Sequence, residues 1–368
     1  FWAWQLVVGA TAVGLLVGQA QALEWGETPV WIDPVAQLGL LLVAINYIPP
    51  IAKVQGPLYV SLWYFLAAFV WTFLTYAMGN FMPQYFVTGT AAGAVGGLFI
   101  HDLVGLFVTP LGWGLMYYFV PIVLRKPIWS HGLSLVGFWG LAFFYGQVGG
   151  HHLIGGPLPN WLIHLSIVQS MMMIIPVTAF SINQHRTMSG HFGLLRYSPT
   201  LRFILLGGMM YTLSSVQGSF EALRSINTIT HFTHFTVAHA HLGLYGFVTL
   251  VMFGAIYFIM PRISGREWPY PKLIAAHFWL VAGGFALYFI SLTLAGVLQG
   301  LAMLDASRPF IDSVRVTQPG LIGRSIGGGL MTLGHLLFAG HFAALLLRFG
   351  PQRQQAALLR PLPVANVI

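Results

Sequence analysis

Histidine is the residue type best placed to do chemistry in this chain, and five of its 14 histidines fall into a pattern. His239 and His241 stand two apart in Thr-Val-Ala-His-Ala-His, at the head of an apolar run that ends near Met260. At about 100° of rotation per residue, side chains two positions apart leave a helix on nearly opposite sides. One helix start can therefore hold an axial ligand toward each of two flanking metal centres. His101 and the adjacent pair His151 and His152 form a second group. Three neutral imidazoles suit copper, zinc or iron. Adjacent side chains leave a regular helix about 100° apart, and Gly149-Gly150 would permit the local distortion that aims both at one ion. Tyr145 lies six residues before His151, about 9 Å deeper by helix rise.

The elements that must position these residues are membrane helices. Of 368 residues, 57% are hydrophobic and only 7% are charged, against roughly a quarter in a soluble domain. With no cysteine there is no disulfide framework, iron–sulfur cluster or thiolate ligand, so histidine must hold any metal. The predicted fold is an all-α polytopic bundle. About ten apolar stretches are long enough to span a bilayer, near 1–23, 34–54, 57–80, 91–124, 131–153, 158–185, 200–224, 236–260, 272–301 and 326–348. They read as a single integral-membrane domain, 1–368, with three helices in 1–90, the metal-site helices in 91–260 and C-terminal helices in 261–368. The chain starts at Phe1 without Met or a signal-like segment, so a longer chain is expected.

Orientation follows from lysine and arginine. Lys53, Arg125, Lys126, Arg186, Arg196, Arg202, Arg262, Arg266, Lys272, Arg348, Arg353 and Arg360 fall in alternate connections and the tail, on the side taken as cytoplasmic. The net charge of +8 is then a topology signal, and nucleic acid is excluded as a partner. This topology places all five histidines in the outer, periplasmic half of the membrane, where an idle imidazole is costly and so a functional candidate.

At these residues the sequence resembles the haem–copper oxidases, and within them the catalytic subunit of cbb3-type cytochrome c oxidase. The matching pieces are Phe-Ile-His101-Asp-Leu-Val-Gly, Gly-Leu-Met-Tyr117-Tyr-Phe, Gly-Leu-Ser134-Leu-Val, Phe-Tyr145-Gly-Gln-Val-Gly-Gly-His151-His152-Leu and Thr-Val-Ala-His239-Ala-His241. The resemblance implies that His101, His151 and His152 ligate copper (CuB). It implies that His239 is the axial ligand of a high-spin haem b3 and His241 one axial ligand of a low-spin haem b. In this family the tyrosine matching Tyr145 is joined covalently to the histidine matching His101. Cleaving the O–O bond in one step takes four electrons; haem iron and copper supply three, and a phenol can give the fourth with a proton. Tyr117, Ser134 and Tyr211 match a proton channel, to which Thr212 and Ser215 could add steps. Arg224, Asn227, His231 and His234 could bind haem propionates, and Glu24 resembles a residue of an outer-loop calcium site.

The implied activity is reduction of O2 to water with electrons from cytochrome c, coupled to proton translocation. The implied partners are membrane-anchored monohaem and dihaem c-type cytochrome subunits, in a bacterial cytoplasmic (inner) membrane. The chain also departs from the family. The low-spin haem's second axial histidine is expected from a helix upstream or in another chain, with twelve helices in the full subunit. Gln217 stands where the family usually has a glutamate, with Glu221 one turn later. His234 replaces an expected aspartate, and Asp102 puts a carboxylate at a depth where it must be protonated or paired. The alternative is a nitric oxide reductase with non-haem iron as the second metal. That chemistry uses a glutamate at the position that is Gly105 here and lacks the tyrosine matching Tyr145. A histidine-relay transporter would want paired carboxylates or broken helices at the midplane, which the chain hardly offers.

Overall fold

A computed structural model describes residues 1–353, and every element among them is helical. Arg360, counted above with the basic residues of one side, lies outside the described residues. In chain order the α-helices are α1 (Trp2–Leu16), α2 (Asp33–Ala52), α3 (Val60–Tyr85), α4 (Thr90–Asp102) and α5 (Thr109–Leu124). They continue as α6 (His131–Phe144), α7 (Asn160–Met172), α8 (Ile174–Met188), α9 (Pro199–Glu221) and α10 (Arg224–Thr230). The series ends with α11 (His234–His241), α12 (Leu250–Ser264), α13 (Lys272–Leu304), α14 (Phe310–Arg315) and α15 (Gln318–Leu346).

Seven continuous stretches among the described residues are long and apolar enough to cross a membrane, fewer than the ten expected. Each of the other three has a local reason. The first stretch stops being helical at Leu16, where the chain turns into the loop before α2. The 131–153 stretch leaves α-helical geometry at Tyr145 and finishes as a 3₁₀-helix over Tyr145–Leu153. The 200–224 stretch is helical as expected, but Ser214, Ser215 and Gln217 dilute its apolar character.

The chain packs as two compact units. The first comprises Phe1–Ser189 and Thr212–Thr228; the second comprises Gly190–Tyr211 and the chain from Ile229 onward. In the first unit, Ser130 caps α6 by accepting from the Leu133 N–H at 3.1 Å. The Asn183 side chain of α8 clamps the same residue, accepting from Ser130 N at 3.0 Å and donating to Ser130 O at 2.8 Å. That clamp matters because α6 carries Tyr145 at its far end. The loop before α2 is held by buried Asp33, which accepts from Gln21 Nε2 at 2.5 Å and from the Tyr76 hydroxyl at 2.8 Å.

In the second unit, Thr233 caps α11 by accepting from Phe235 N at 3.2 Å, and Gln299 of α13 accepts from His234 N at 3.0 Å. Both bonds hold the start of the helix that carries His239 and His241. Phe203, Leu250, Val281 and Leu345 are fully buried in a core of the same unit.

Candidate metal centre

Three departures from α-helical geometry occur in the described chain beside the candidate ligands. A π-helix spans Leu103–Val108, just after His101, and a second spans Leu242–Thr249, just after His241. The 3₁₀-helix contains His151 and His152. Inserted turns of these kinds recur at functional sites, because they re-aim side chains that a regular helix would distribute. The first has a covalent cause. Pro110 follows it and has no N–H to donate to the carbonyl of Leu106, so the regular ladder is interrupted there.

The 3₁₀ segment changes the geometry read from the sequence. Six residues in an α-helix amount to 240°, which would send Tyr145 and His151 in different directions. At three residues per turn they sit two turns apart on the same face, about 12 Å apart along the axis rather than 9 Å. Burial follows this period: Tyr145, Val148 and His151 are all buried. Gly149 lets the segment approach α4, since a Cβ there would come within 2.9 Å of the His101 Cβ and collide with the Gly97 carbonyl.

His101 meets this face. Its ring centroid lies 4.9 Å from that of His151, 5.0 Å from that of His152 and 4.9 Å from that of Tyr145. One ligand nitrogen from each of the three histidines can be chosen so that all lie within 4.8 Å of one another. Among the described residues this is the one group of three or more histidine or carboxylate side chains so gathered. The His151 tautomer is set by its neighbours. Its Nδ1 lies 2.9 Å from Ser170 Oγ, whose own proton goes to the Ser166 carbonyl at 2.7 Å. Ser170 must then accept from Nδ1–H, leaving the Nε2 lone pair for a metal. Ser170 was not singled out in the sequence, although Ser166 and Ser170 one turn apart on a mostly apolar helix were the signal.

The donor set fits copper: three imidazoles, one held in the ligating tautomer, and no thiolate or carboxylate among them. Asp102, next to His101, is buried, and its Oδ1 has no hydrogen-bond partner among the described residues.

In the second unit, His239 and His241 close α11. The His241 Nδ1 lies 2.8 Å from the Val237 carbonyl one turn earlier, and a carbonyl only accepts, so Nδ1 carries the proton and the Nε2 lone pair is left for a metal. Tyr288 of α13 backs the His241 ring at 5.0 Å.

The candidate proton-path residues divide. Tyr117 and Ser134 share a cluster in the first unit with Tyr64 and Asn183, neither of which the sequence reading singled out. Tyr64 stacks on the fully buried Tyr117 at 5.7 Å, and its hydroxyl donates to the Ser134 carbonyl at 3.2 Å. Asn183 Nδ2 donates to the Tyr117 hydroxyl at 3.4 Å. Ser134 Oγ itself donates to the His131 carbonyl at 2.6 Å. Tyr59, just ahead of α3, donates to the Tyr117 carbonyl at 2.8 Å, and burial pushes its phenol up to about 12, so it stays a donor at neutral pH. Tyr211 belongs to the second unit, against Phe247 at 4.6 Å. Gln217 keeps a buried Oε1 with no hydrogen-bond partner among the described residues.

Of the residues read as propionate anchors, Arg224 is exposed and Asn227 is buried, its amide donating to the Glu221 carbonyl at 3.2 Å. His231 stacks on Phe232 at 3.9 Å, and His234 stands at the first turn of α11. Glu24 is exposed and joins no metal-holding group among the described residues.

Residues 1–330 match the family model for Cytochrome C and Quinol oxidase polypeptide I. Over 354 residues the chain is 33% identical to the Cbb3-type cytochrome c oxidase subunit CcoN1 of Stutzerimonas stutzeri, covering 92% of this chain and 75% of that one. Over 356 residues it is 32% identical to Cytochrome c oxidase subunit 1 of Rhodobacter capsulatus, covering 92% and 67%. A solved heme-copper terminal oxidase dimer is similar in fold, with a TM-score of 0.78 over 99% of this chain and 73% of that one, at 15% identity.

Proposed function

The chain belongs to the Cytochrome C and Quinol oxidase polypeptide I family, as a haem–copper oxidase subunit I, and from that premise we propose that it is the catalytic subunit of a cbb3-type terminal oxidase reducing O2 to water. The observation that carries this reading is the 3₁₀ face on which Tyr145 and His151 both meet His101. His101, His151 and His152 hold the copper; His239 holds haem b3, and His241 holds haem b. When bound, the copper and the haem irons supply electron transfer and the site at which O2 is reduced. The chain supplies the rest. Ser170 keeps His151 in its ligating tautomer, and the Val237 carbonyl does the same for His241. Tyr145 gives up a proton at its hydroxyl and an electron from its ring.

Protons for water formation enter from the cytoplasmic side through the hydroxyls of Tyr117, Ser134 and Tyr211, with Gln217 in place of an acidic step, and part of the flow is translocated outward. Electrons come from cytochrome c through membrane-anchored c-type cytochrome subunits. The protein is multi-pass in a bacterial inner membrane, with its metal site in the periplasmic half. Arg224, His231 and His234 serve the propionate side, and Glu24 is the candidate calcium ligand.

Two measurements on the purified protein test this. A reduced-minus-oxidised absorption spectrum must show both a low-spin and a high-spin b-type haem, and metal analysis must find one copper per high-spin haem. A protein without haem would sink the proposal. Non-haem iron in place of copper would instead make the chain a nitric oxide reductase.

A further inference from the structure

Away from the metal sites, the second unit contains a groove of about 440 Å³ where the starts of α9 and α13 come together. Its lining follows the two helices. Arg196 and Arg202 stand at the helix ends, Leu205 and Met209 continue along α9, and Phe278 and Trp279 face them from α13. Seven residues of α-helix separate Arg202 from Met209, about 10 Å of rise. The groove thus has two guanidinium groups at one end, an apolar floor running inward from them, and no carboxylate in its lining.

Arg202 behaves as a cation held for a ligand. Its guanidinium lies over the Phe278 ring at 5.6 Å, which fixes its direction. Its Nε is buried and has no hydrogen-bond partner among the described residues. A side chain that only snorkelled to water would leave that N–H solvated. Met209 and Trp279 are each 66% exposed, so the apolar end opens sideways to hydrocarbon rather than closing into the core.

We propose that this groove is a binding site for an anionic glycerophospholipid, its phosphate on Arg196 and Arg202 and an acyl chain along Met209 and Trp279. The charge complementarity selects an anionic headgroup. The apolar floor selects a lipid over free phosphate, because a soluble anion has nothing to place on it. This site is independent of the redox function proposed above.

The test uses the full-length protein in its membrane complex, exchanged in mild detergent with phosphatidylglycerol or phosphatidylcholine and read by native mass spectrometry. The unaltered protein retains phosphatidylglycerol in preference to phosphatidylcholine. Replacing both cations (Arg196→Gln with Arg202→Gln) lowers phosphatidylglycerol retention by about tenfold or more, the loss of one to two charge-assisted contacts. Met209→Trp keeps both cations but fills the apolar end, and it lowers retention of the lipid as well. Equal retention of the two lipids by the unaltered protein overturns the proposal. So does retention unchanged in both variants, displacement of the lipid by inorganic phosphate alone, or a partner helix seated in the groove of the assembled complex.

Discussion

The ring of Tyr145 fills the space into which a side chain at position 105 would project. Gly105 lies within the π-helix that follows His101, and a Cβ built on it collides with the Tyr145 ring. The two features that separate an oxidase from a nitric oxide reductase in the sequence are therefore one steric fact. A glutamate at 105 and a tyrosine at 145 exclude each other on this backbone. Gly105→Ala is expected to displace Tyr145 from His101 and to cut oxygen consumption steeply while haem content holds. Full activity in that variant would show that the ring yields without consequence.

Tyr145→Phe keeps the packing against Gly105 and His101 but removes the hydroxyl. It is expected to abolish oxygen turnover with copper and both haems retained, as read by oxygen electrode and metal analysis. Wild-type turnover would remove Tyr145 from the chemistry.

Ser170→Ala removes the acceptor that fixes the His151 tautomer. Loss of such a supporting bond costs roughly 10–100-fold in metal affinity, so copper occupancy should fall in chelator-buffered titrations while haem spectra are unchanged. His151→Ala should lose copper outright and keep both haems.

His241→Ala is expected to remove the low-spin haem absorption and leave the high-spin signal. Loss of both signals together, in a protein whose helix content by circular dichroism is unchanged, would mean that the two histidines of α11 do not serve separate haems.

Asp33 ties the loop before α2 to α3 through Gln21 and Tyr76. Asp33→Ala removes the acceptor of the half-buried Tyr76 hydroxyl, while the Gln21 amide keeps its bond to the Thr28 carbonyl. The cost is on the order of 1–2 kcal/mol, seen as a lowered Tm with the metal complement intact. An unchanged Tm would show that the latch contributes nothing.

Much of the site was legible because it depends on residue identity. The all-nitrogen donor set follows from side-chain chemistry, since the chain has 14 histidines and no cysteine, whereas a redox role for Tyr145 was implied only by the family resemblance. The membrane class was legible too, since 57% hydrophobic residues with 7% charged leave no other solvent. The α-helical setting of His239 and His241 was likewise legible from the apolar run that follows them. The expected span count was too high, at one stretch because hydropathy counts apolar residues and is blind to a change of helix type within them. The 131–153 stretch is mostly apolar, yet it turns to 3₁₀ at Tyr145.

Tertiary structure decided what a side chain's direction depends on. Which face Tyr145 shares with His151 follows from three residues per turn rather than 3.6, in a segment whose close approach to α4 is permitted by Gly149. Which nitrogen of His151 is left for a metal depends on Ser170, from another helix 19 residues away in sequence. Composition and periodicity are local properties of the chain, so they name the participants; aim and protonation arise from neighbours that only folding brings together.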